Sequence, residues 1–201
     1  MRITRGLAGG RRLAVPRGLG VRPTPDLVKQ ALFNSLGARV LGASVLELFA
    51  GTGALSLESL SCGARQALCI EKSRAHAAFI RQNLERCQLD PARLEVRVQG
   101  VFEALPPLWA SGRQFDLVLA DPPYGEKNVG RRSTSLAQQL LDDPVLPHLL
   151  APSGVLVLGH SKRDTLELPP AWTEQHRLRH GDSVLRFFIL PLVFRADSGQ
   201  T

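Results

Sequence analysis

Apolar residues follow two rhythms along this chain. From Ser44 onward, short apolar runs alternate with longer stretches in which apolar positions return every three or four residues. The runs predict strands over Val45–Phe49, Ala67–Glu71, Leu94–Gln99, Phe115–Ala120 and Val155–His160. The stretches between them predict helices over Ala54–Cys62, Arg74–Leu89, Val101–Leu108 and Leu136–Leu150. Strands that are apolar at nearly every position are buried on both faces, as in a parallel sheet covered by helices. Gln175–His180 and Ser183–Leu190, joined by Gly181-Asp182, read as a closing antiparallel hairpin. The pattern predicts a doubly wound α/β fold, with a mostly parallel seven-stranded sheet ending in that hairpin.

Upstream of Ser44 the pattern differs. Arg2–Leu7 and Arg11–Val15 flank Gly9-Gly10 and predict a small β-ribbon extension over residues 1–22. A helix over Asp26–Leu36, capped by Thr24 or Asp26, presents Leu27, Ala31, Leu32 and Leu36 as an apolar stripe. The 201 residues suit one main domain, placed over 23–194, with 195–201 as a disordered tail. No stretch approaches the roughly 20 apolar residues of a membrane span, and the Arg-rich start lacks the apolar core of a secretory signal. The expectation is a cytoplasmic monomer that engages no membrane.

Charge narrows the choice of partner. Lys and Arg number 25 against 18 Asp and Glu, a net charge of +7. Arg2, Arg5, Arg11, Arg12, Arg17 and Arg22 all precede the first acid, Asp26. Lys127, Arg131 and Arg132 form a second basic group. Such clusters favour a polyanion, and nucleic acid above all. Arg2, Arg5, Arg11, Arg12, Lys127, Arg131 and Arg132 are the candidate RNA contacts.

Three motifs carry chemistry. Glu47-Leu48-Phe49-Ala50-Gly51-Thr52-Gly53 closes the first long strand, where ligands of doubly wound sheets bind. Its two glycines permit a tight turn and close approach of a ligand to backbone. Glu71 ends the next strand, 18 residues beyond Gly53, and can accept hydrogen bonds from both ribose hydroxyls of an adenosine group. Glycine turn and acid together leave open S-adenosylmethionine or a nicotinamide dinucleotide, although Ser56 stands where the third glycine of a dinucleotide fingerprint belongs.

Asp121-Pro122-Pro123-Tyr124 decides between them. Two prolines make a stiff turn without N–H donors, so the Asp121 carboxylate and the Pro122 carbonyl can accept both hydrogens of one amino group. An exocyclic base amine is a poor nucleophile because its lone pair is delocalised into the ring. Holding both hydrogens aims that lone pair at an electrophile. The Tyr124 ring offers a face on which a base can stack.

FAGTG, an acid after the second strand and DPPY after the fourth resemble the amino methyltransferases built on a Rossmann-like fold. Arg22-Pro23-Thr24 with Leu32-Phe33-Asn34, followed by LELFAGTGALSLESLSCGA and DLVLADPPY, resembles more narrowly the bacterial 16S rRNA guanine-N2 methyltransferase D family, over nearly the whole chain. The resemblance implies the class I S-adenosylmethionine-dependent methyltransferase fold, with 16S rRNA or the small ribosomal subunit particle as partner. It places Glu47, Phe49, Gly51 and Gly53 at the cofactor's methionine end, Glu71 on the ribose, and Lys72 beside the adenine. Arg22 and Thr24 would lie near cofactor and substrate, with Asp121, Pro122, Pro123 and Tyr124 at the target guanine and Asp121 also bordering the cofactor. Many such enzymes carry Asp after the third strand, where this chain has Gln99-Gly100-Val101; Gln99 and Val101 take that place at the adenine. DPPY also serves enzymes that methylate adenine N6 in DNA or glutamine in proteins, and a non-catalytic RNA-binding protein is the remaining alternative.

The other reactive side chains point elsewhere. Cys62, Cys69 and Cys87 include no CxxC pair and read as buried thiols, not as a disulfide framework or zinc site. His176 and His180 are too far apart on one strand for easy joint metal ligation. His160 is expected to be structural. Trp109 and Trp172 are expected in packing or half-exposed positions, not as stacking platforms.

Overall fold

The computed structural model describes residues 1–16, 25–124, 128 and 131–191. The expectations for Arg17, Arg22, Thr24, Lys127 and the 195–201 tail therefore lie outside the described residues. The chain divides into two compact units, 1–104 and 105–201. Seven strands make up the sheet, in the order β3-β2-β1-β4-β5-β7-β6.

In the first unit, α1 (Asp26–Leu36) is followed by β1 (Ser44–Leu48), α2 (Ala54–Ser61), β2 (Gln66–Glu71), α3 (Arg74–Cys87) and β3 (Leu94–Val98). β1 pairs with β2 and β2 with β3, all parallel, with Leu48 opposite Ile70 and Glu71 opposite Val98. All five residues of β1 are buried, which accounts for the unbroken apolar run in the sequence. α2 is buried on every side. α3 is amphipathic: Ala77, Ile80, Leu84 and Cys87 face inward with Asn83 among them. Ser73 caps α3, its hydroxyl accepting from the His76 amide.

In residues 1–16 the pairing is one antiparallel bridge between Arg2 and Arg12, with the Ile3 amide bonded to the Arg11 carbonyl and the Leu13 amide to the Met1 carbonyl. The chain reverses over a wider turn than Gly9-Gly10, with Gly6 and Gly10 both in the left-handed region. α2 takes up polar groups of Thr4 to Ala8, which lie between the two bridge residues. The Glu58 carboxylate accepts from the Thr4 amide and hydroxyl and from the Arg5 amide, and pairs with Lys29 at 3.1 Å, both side chains fully buried. Ser61 Oγ accepts from the Ala8 amide, and its carbonyl accepts from the Leu7 amide. Gly6 lies so close to Ser61 that a Cβ would sit 1.9 Å from the carbonyl oxygen. The α1 cap differs too: Pro25 occupies the N-cap without a side-chain hydrogen bond, and Asp26 instead pairs with Arg2 and Lys29.

α4 (Val101–Ala110) crosses the division and contains Pro106 and Pro107. Proline at 107 removes the N–H that would bond the Glu103 carbonyl. That carbonyl accepts from Gln99 Nε2 at 3.2 Å instead.

The second unit contains β4 (Phe115–Ala120), α5 (Leu136–Asp142), β5 (Leu150–Ser161), β6 (Thr173–His180) and β7 (Ser183–Ile189). β4 and β5 pair in parallel, with Ala120 opposite Leu158. β7 lies antiparallel to β5, and β6 antiparallel to β7. The helix expected to run to Leu150 stops at Asp142 and resumes as a 3-10 turn over Leu146–Leu149. Pro144 cannot continue the helix, and the Asp143 carboxylate accepts from the Val145 and Leu146 amides to start the next turn. Trp172 is buried against Phe188, its indole N–H bonded to the Leu141 carbonyl at 3.0 Å. Trp109 is half exposed and stacks on His148.

Candidate functional site

In the first unit, a turn leaves β1 with three residues in the left-handed region: Phe49 at φ 57°, Gly51 at 55° and Gly53 at 73°. The glycines adopt this freely, whereas an aromatic residue there costs on the order of 1–3 kcal/mol. Phe49 recovers part of it through an edge-to-face contact with Phe102, centroids 6.4 Å apart, worth roughly 0.5–1.5 kcal/mol. A Cβ on Gly53 would meet Ile80 Cγ2 at 2.8 Å, so α3 packs directly on the turn.

Glu71, at the end of β2, reaches back to this turn. One carboxylate oxygen accepts from the Gly51 amide and the other from the Ser73 amide, each at 2.8 Å. Each oxygen keeps a second lone pair, which suits a pair of vicinal hydroxyls. His76 Nδ1 lies 3.5 Å from the same carboxylate. Lys72 is exposed beside it.

Glu47 has a different place from an open pocket wall. It is only 3% exposed, and its carboxylate accepts from the Leu55 amide at 3.2 Å and the Ser56 amide at 2.8 Å, in the first turn of α2. Burial pushes its carboxyl up to about 7, against the opposing effect of these hydrogen bonds. Cys69 Sγ, fully buried, donates to Ser56 Oγ at 3.2 Å beneath it. The α2 N-terminus is where a dinucleotide fold receives its pyrophosphate. Here those amides already serve a carboxylate, so a second anion has no place. These occupied amides favour a ligand with adenosine and no phosphate over a dinucleotide.

Gln99 spends its side-chain N–H on Glu103, leaving its amide oxygen as an acceptor. Val101, at the start of α4, is buried. Asn83, which the sequence reading passed over, donates to the Thr52 carbonyl inside the glycine turn at 3.2 Å.

In the second unit, Asp121-Pro122-Pro123-Tyr124 follows β4. Pro122 is buried, Pro123 exposed, and Asp121 and Tyr124 are half-buried. The Tyr124 hydroxyl donates to Ser183 Oγ at 2.7 Å, tying the turn to the start of β7. Asp121 lies against β5: a Cβ on Gly159 would fall 2.4 Å from its Oδ1. Neither Ser183 nor Gly159 figured among the expected site residues. A lone glycine in an apolar strand does signal close approach; nothing in the sequence marks Ser183. His160 is buried one residue further along β5, its Nδ1 2.9 Å from the Ser161 carbonyl, and burial lowers its pKa.

The basic residues sort by partner. Arg2 pairs with Asp26, and Arg132 with Asp142 and Glu167. Arg5 bonds Asn34, and Arg11 bonds the Arg86 carbonyl and Gln88. Arg12 and Arg131 are exposed. Among the described residues, no three His, Cys, Asp or Glu side chains are grouped to hold a metal, and no helix is long and apolar enough to cross a membrane. Cys69 and Cys87 are buried and Cys62 half-buried, all as free thiols.

Residues 1–189 match the family described as Conserved hypothetical protein 95. Ribosomal RNA small subunit methyltransferase D of Haemophilus influenzae is 31% identical over 173 residues, spanning 86% of this chain and 85% of that protein. Its Escherichia coli namesake is 38% identical over 124 residues, 62% of this chain and 60% of that one. Among solved structures, yhhF from Escherichia coli superposes with a TM-score of 0.76 at 28% identity, over 94% of this chain and 97% of that one. A Thermus thermophilus 16S rRNA N2 G1207 methyltransferase, in complex with AdoMet and guanosine, shares the fold with a TM-score of 0.66 at 24% identity, over 87% of this chain and 45% of that one. With its seven-stranded α/β sheet, glycine turn and DPPY segment, the chain belongs to the Conserved hypothetical protein 95 family and is a relative of ribosomal RNA small subunit methyltransferase D.

Proposed function

We propose that this protein transfers a methyl group from S-adenosylmethionine to the exocyclic N2 amine of a guanine in 16S rRNA, acting as a cytoplasmic monomer on the RNA or the small-subunit particle. The carrying observation is the acid-proline turn: a carboxylate laid against the Gly159 backbone, followed by two residues that have no N–H. The family membership supports the reading, as do the printed activity of the Haemophilus influenzae relative and the guanosine in the Thermus thermophilus complex.

The first unit holds the donor. Glu71 accepts the ribose hydroxyls, the turn from Phe49 to Gly53 borders the methionine end, and the Gln99 amide oxygen receives the adenine amine. Lys72 and Val101 flank the adenine; Arg22 and Thr24 complete the reading from the family resemblance. Bound there, S-adenosylmethionine supplies an electrophilic methyl on a positively charged sulfur. The second unit holds the acceptor. Asp121 and the Pro122 carbonyl take the two amine hydrogens, which directs the nitrogen lone pair outward and offsets the positive charge that grows on it. Asp121 then receives the proton that the methylated nitrogen sheds. The base must leave its stack to reach this turn, and the Tyr124 ring supplies a new stacking partner worth roughly 1–3 kcal/mol. Its tethered hydroxyl fixes the ring in advance. No nucleophilic side chain is needed.

Phosphates are met by Arg5, Arg11 and Arg12 in one unit and by Lys127 and Arg131 in the other. Arg2 and Arg132, already paired with acids, contribute less. The test is transfer of labelled methyl to small-subunit particles lacking the modification, followed by nucleoside mass spectrometry. N2-methylguanosine is the expected product, and Asp121→Ala should abolish most turnover while leaving S-adenosylhomocysteine binding intact. A different methylated nucleoside, or full activity in that variant, refutes the assignment.

A further inference from the structure

Asn83 stands on the inward face of α3 and is fully buried. A buried amide on an otherwise apolar stripe costs stability unless all its hydrogen bonds are made. Asn83 makes them with two separate segments. Its Oδ1 accepts from the Ala14 amide at 2.6 Å, and its Nδ2 donates to the Ala14 carbonyl at 3.1 Å, holding both backbone groups of that residue. The same Nδ2 donates to the Thr52 carbonyl at 3.2 Å, between Gly51 and Gly53. One side chain thus joins the basic N-terminal segment to the glycine turn.

We infer that Asn83 is a positioning residue through which the N-terminal segment sets the affinity for the cofactor. The turn holds Phe49 in the left-handed region and needs outside support to keep it there. Ile80 packs on one side of it, Glu71 holds the Gly51 amide, and Asn83 holds the Thr52 carbonyl. Ala14 in turn fixes the Asn83 amide plane, because a side-chain amide bonded at both ends to the backbone of one residue is held against rotation. The segment therefore acts on the cofactor without touching it. RNA held by Arg11 and Arg12 would restrain the same segment, so RNA and cofactor should each strengthen the binding of the other. The inference rests on the cofactor cradle proposed above.

The experiment measures S-adenosylhomocysteine binding by calorimetry on full-length protein. Asn83→Ala should raise Kd about tenfold, the loss of roughly one hydrogen bond's worth of support. In turnover assays the same variant should raise KM for the donor with kcat nearly unchanged at saturation. Ala14→Pro removes the amide that Asn83 grips without altering the turn, and should shift Kd in the same direction. It serves also if Asn83→Ala fails to fold. Ser61→Ala loosens the segment at Arg5 and Ala8 only. It should lower the melting temperature and change Kd less than twofold. Wild-type affinity in folded Asn83→Ala or Ala14→Pro overturns this inference alone. Failure of the wild-type protein to bind at all overturns the cofactor reading with it.

Discussion

Gly159→Ala adds one methyl group and tests whether the position of the Asp121 carboxylate governs turnover. The new carbon falls 2.4 Å from Oδ1, and ordinary contact begins at 3.4 Å, so the carboxylate must retreat by about 1 Å. Gly159 is not among the left-handed glycines, so its backbone accepts alanine. Because the obstructed atom ends a flexible side chain, relief comes by rotating Asp121, at roughly 0.5–1.5 kcal/mol. The fold should survive with a small change in melting temperature. Catalysis should not, since a displacement of about 1 Å in a reacting group costs on the order of 100-fold, equivalent to about 2.7 kcal/mol in the barrier. The assay is single-turnover methyl transfer to unmodified small-subunit particles at saturating donor, with calorimetry against S-adenosylhomocysteine alongside. Unchanged donor affinity with a rate lowered about 100-fold is expected. A rate within twofold of wild type in the folded variant would mean that Asp121 does not work from the place seen here.

Other perturbations test separate parts of the site. Glu71→Ala deprives the Gly51 and Ser73 amides of their acceptor, and should weaken S-adenosylhomocysteine binding tenfold or more by calorimetry; an unaltered Kd would remove Glu71 from the site. Ser183→Ala releases the Tyr124 hydroxyl, and should raise KM for the particle severalfold with donor affinity constant; equal effects on both would point to general damage. Glu47 predicts a pH effect. Its folded carboxyl titrates at about 7 against 4.5 for the ordinary group, because burial disfavours the charge. Between those values the unfolded chain releases the proton that the folded chain keeps, so stability falls as pH rises from about 4.5 to about 7, by on the order of 3 kcal/mol. Melting curves from about pH 5 to about pH 8 should show this slope in wild type and its absence in Glu47→Gln; parallel curves would contradict it.

Strand identity was legible because parallel strands buried on both faces leave unbroken apolar runs. Burial of Val45, Leu46 and Leu48 is what makes β1 readable. The glycine turn and Glu71 were legible through spacing, since only a few residue types fit a left-handed turn or the end of a strand beside it. In the N-terminal segment the alternation and glycine pair match a ribbon, and one antiparallel bridge, Arg2 to Arg12, forms there. Thr4, Arg5, Leu7 and Ala8 take backbone partners from Glu58 and Ser61, more than fifty residues away, and no local pattern announces these. The break after Asp142 could have been drawn from Pro144, but the apolar spacing around it outweighed that signal. For Glu47 the motif fixes the position on β1, while the orientation toward the α2 amides depends on packing.

α2 has no outward face. Its eight residues are buried, including Glu58, Ser59 and Ser61. Of residues 3–8, Ile3 and Ala8 are buried, and Thr4, Arg5, Leu7 and Ala8 bond α2, so the stretch is constrained much as core residues are. Trimming them would leave the buried Glu58 carboxylate with Lys29 but without its hydrogen bonds from the Thr4 amide, the Thr4 hydroxyl and the Arg5 amide, each worth roughly 1.5–3 kcal/mol as a bond to a charged group. For a domain of ordinary stability that is a large share of the total. Expression variants of this protein should therefore keep residues 3–8.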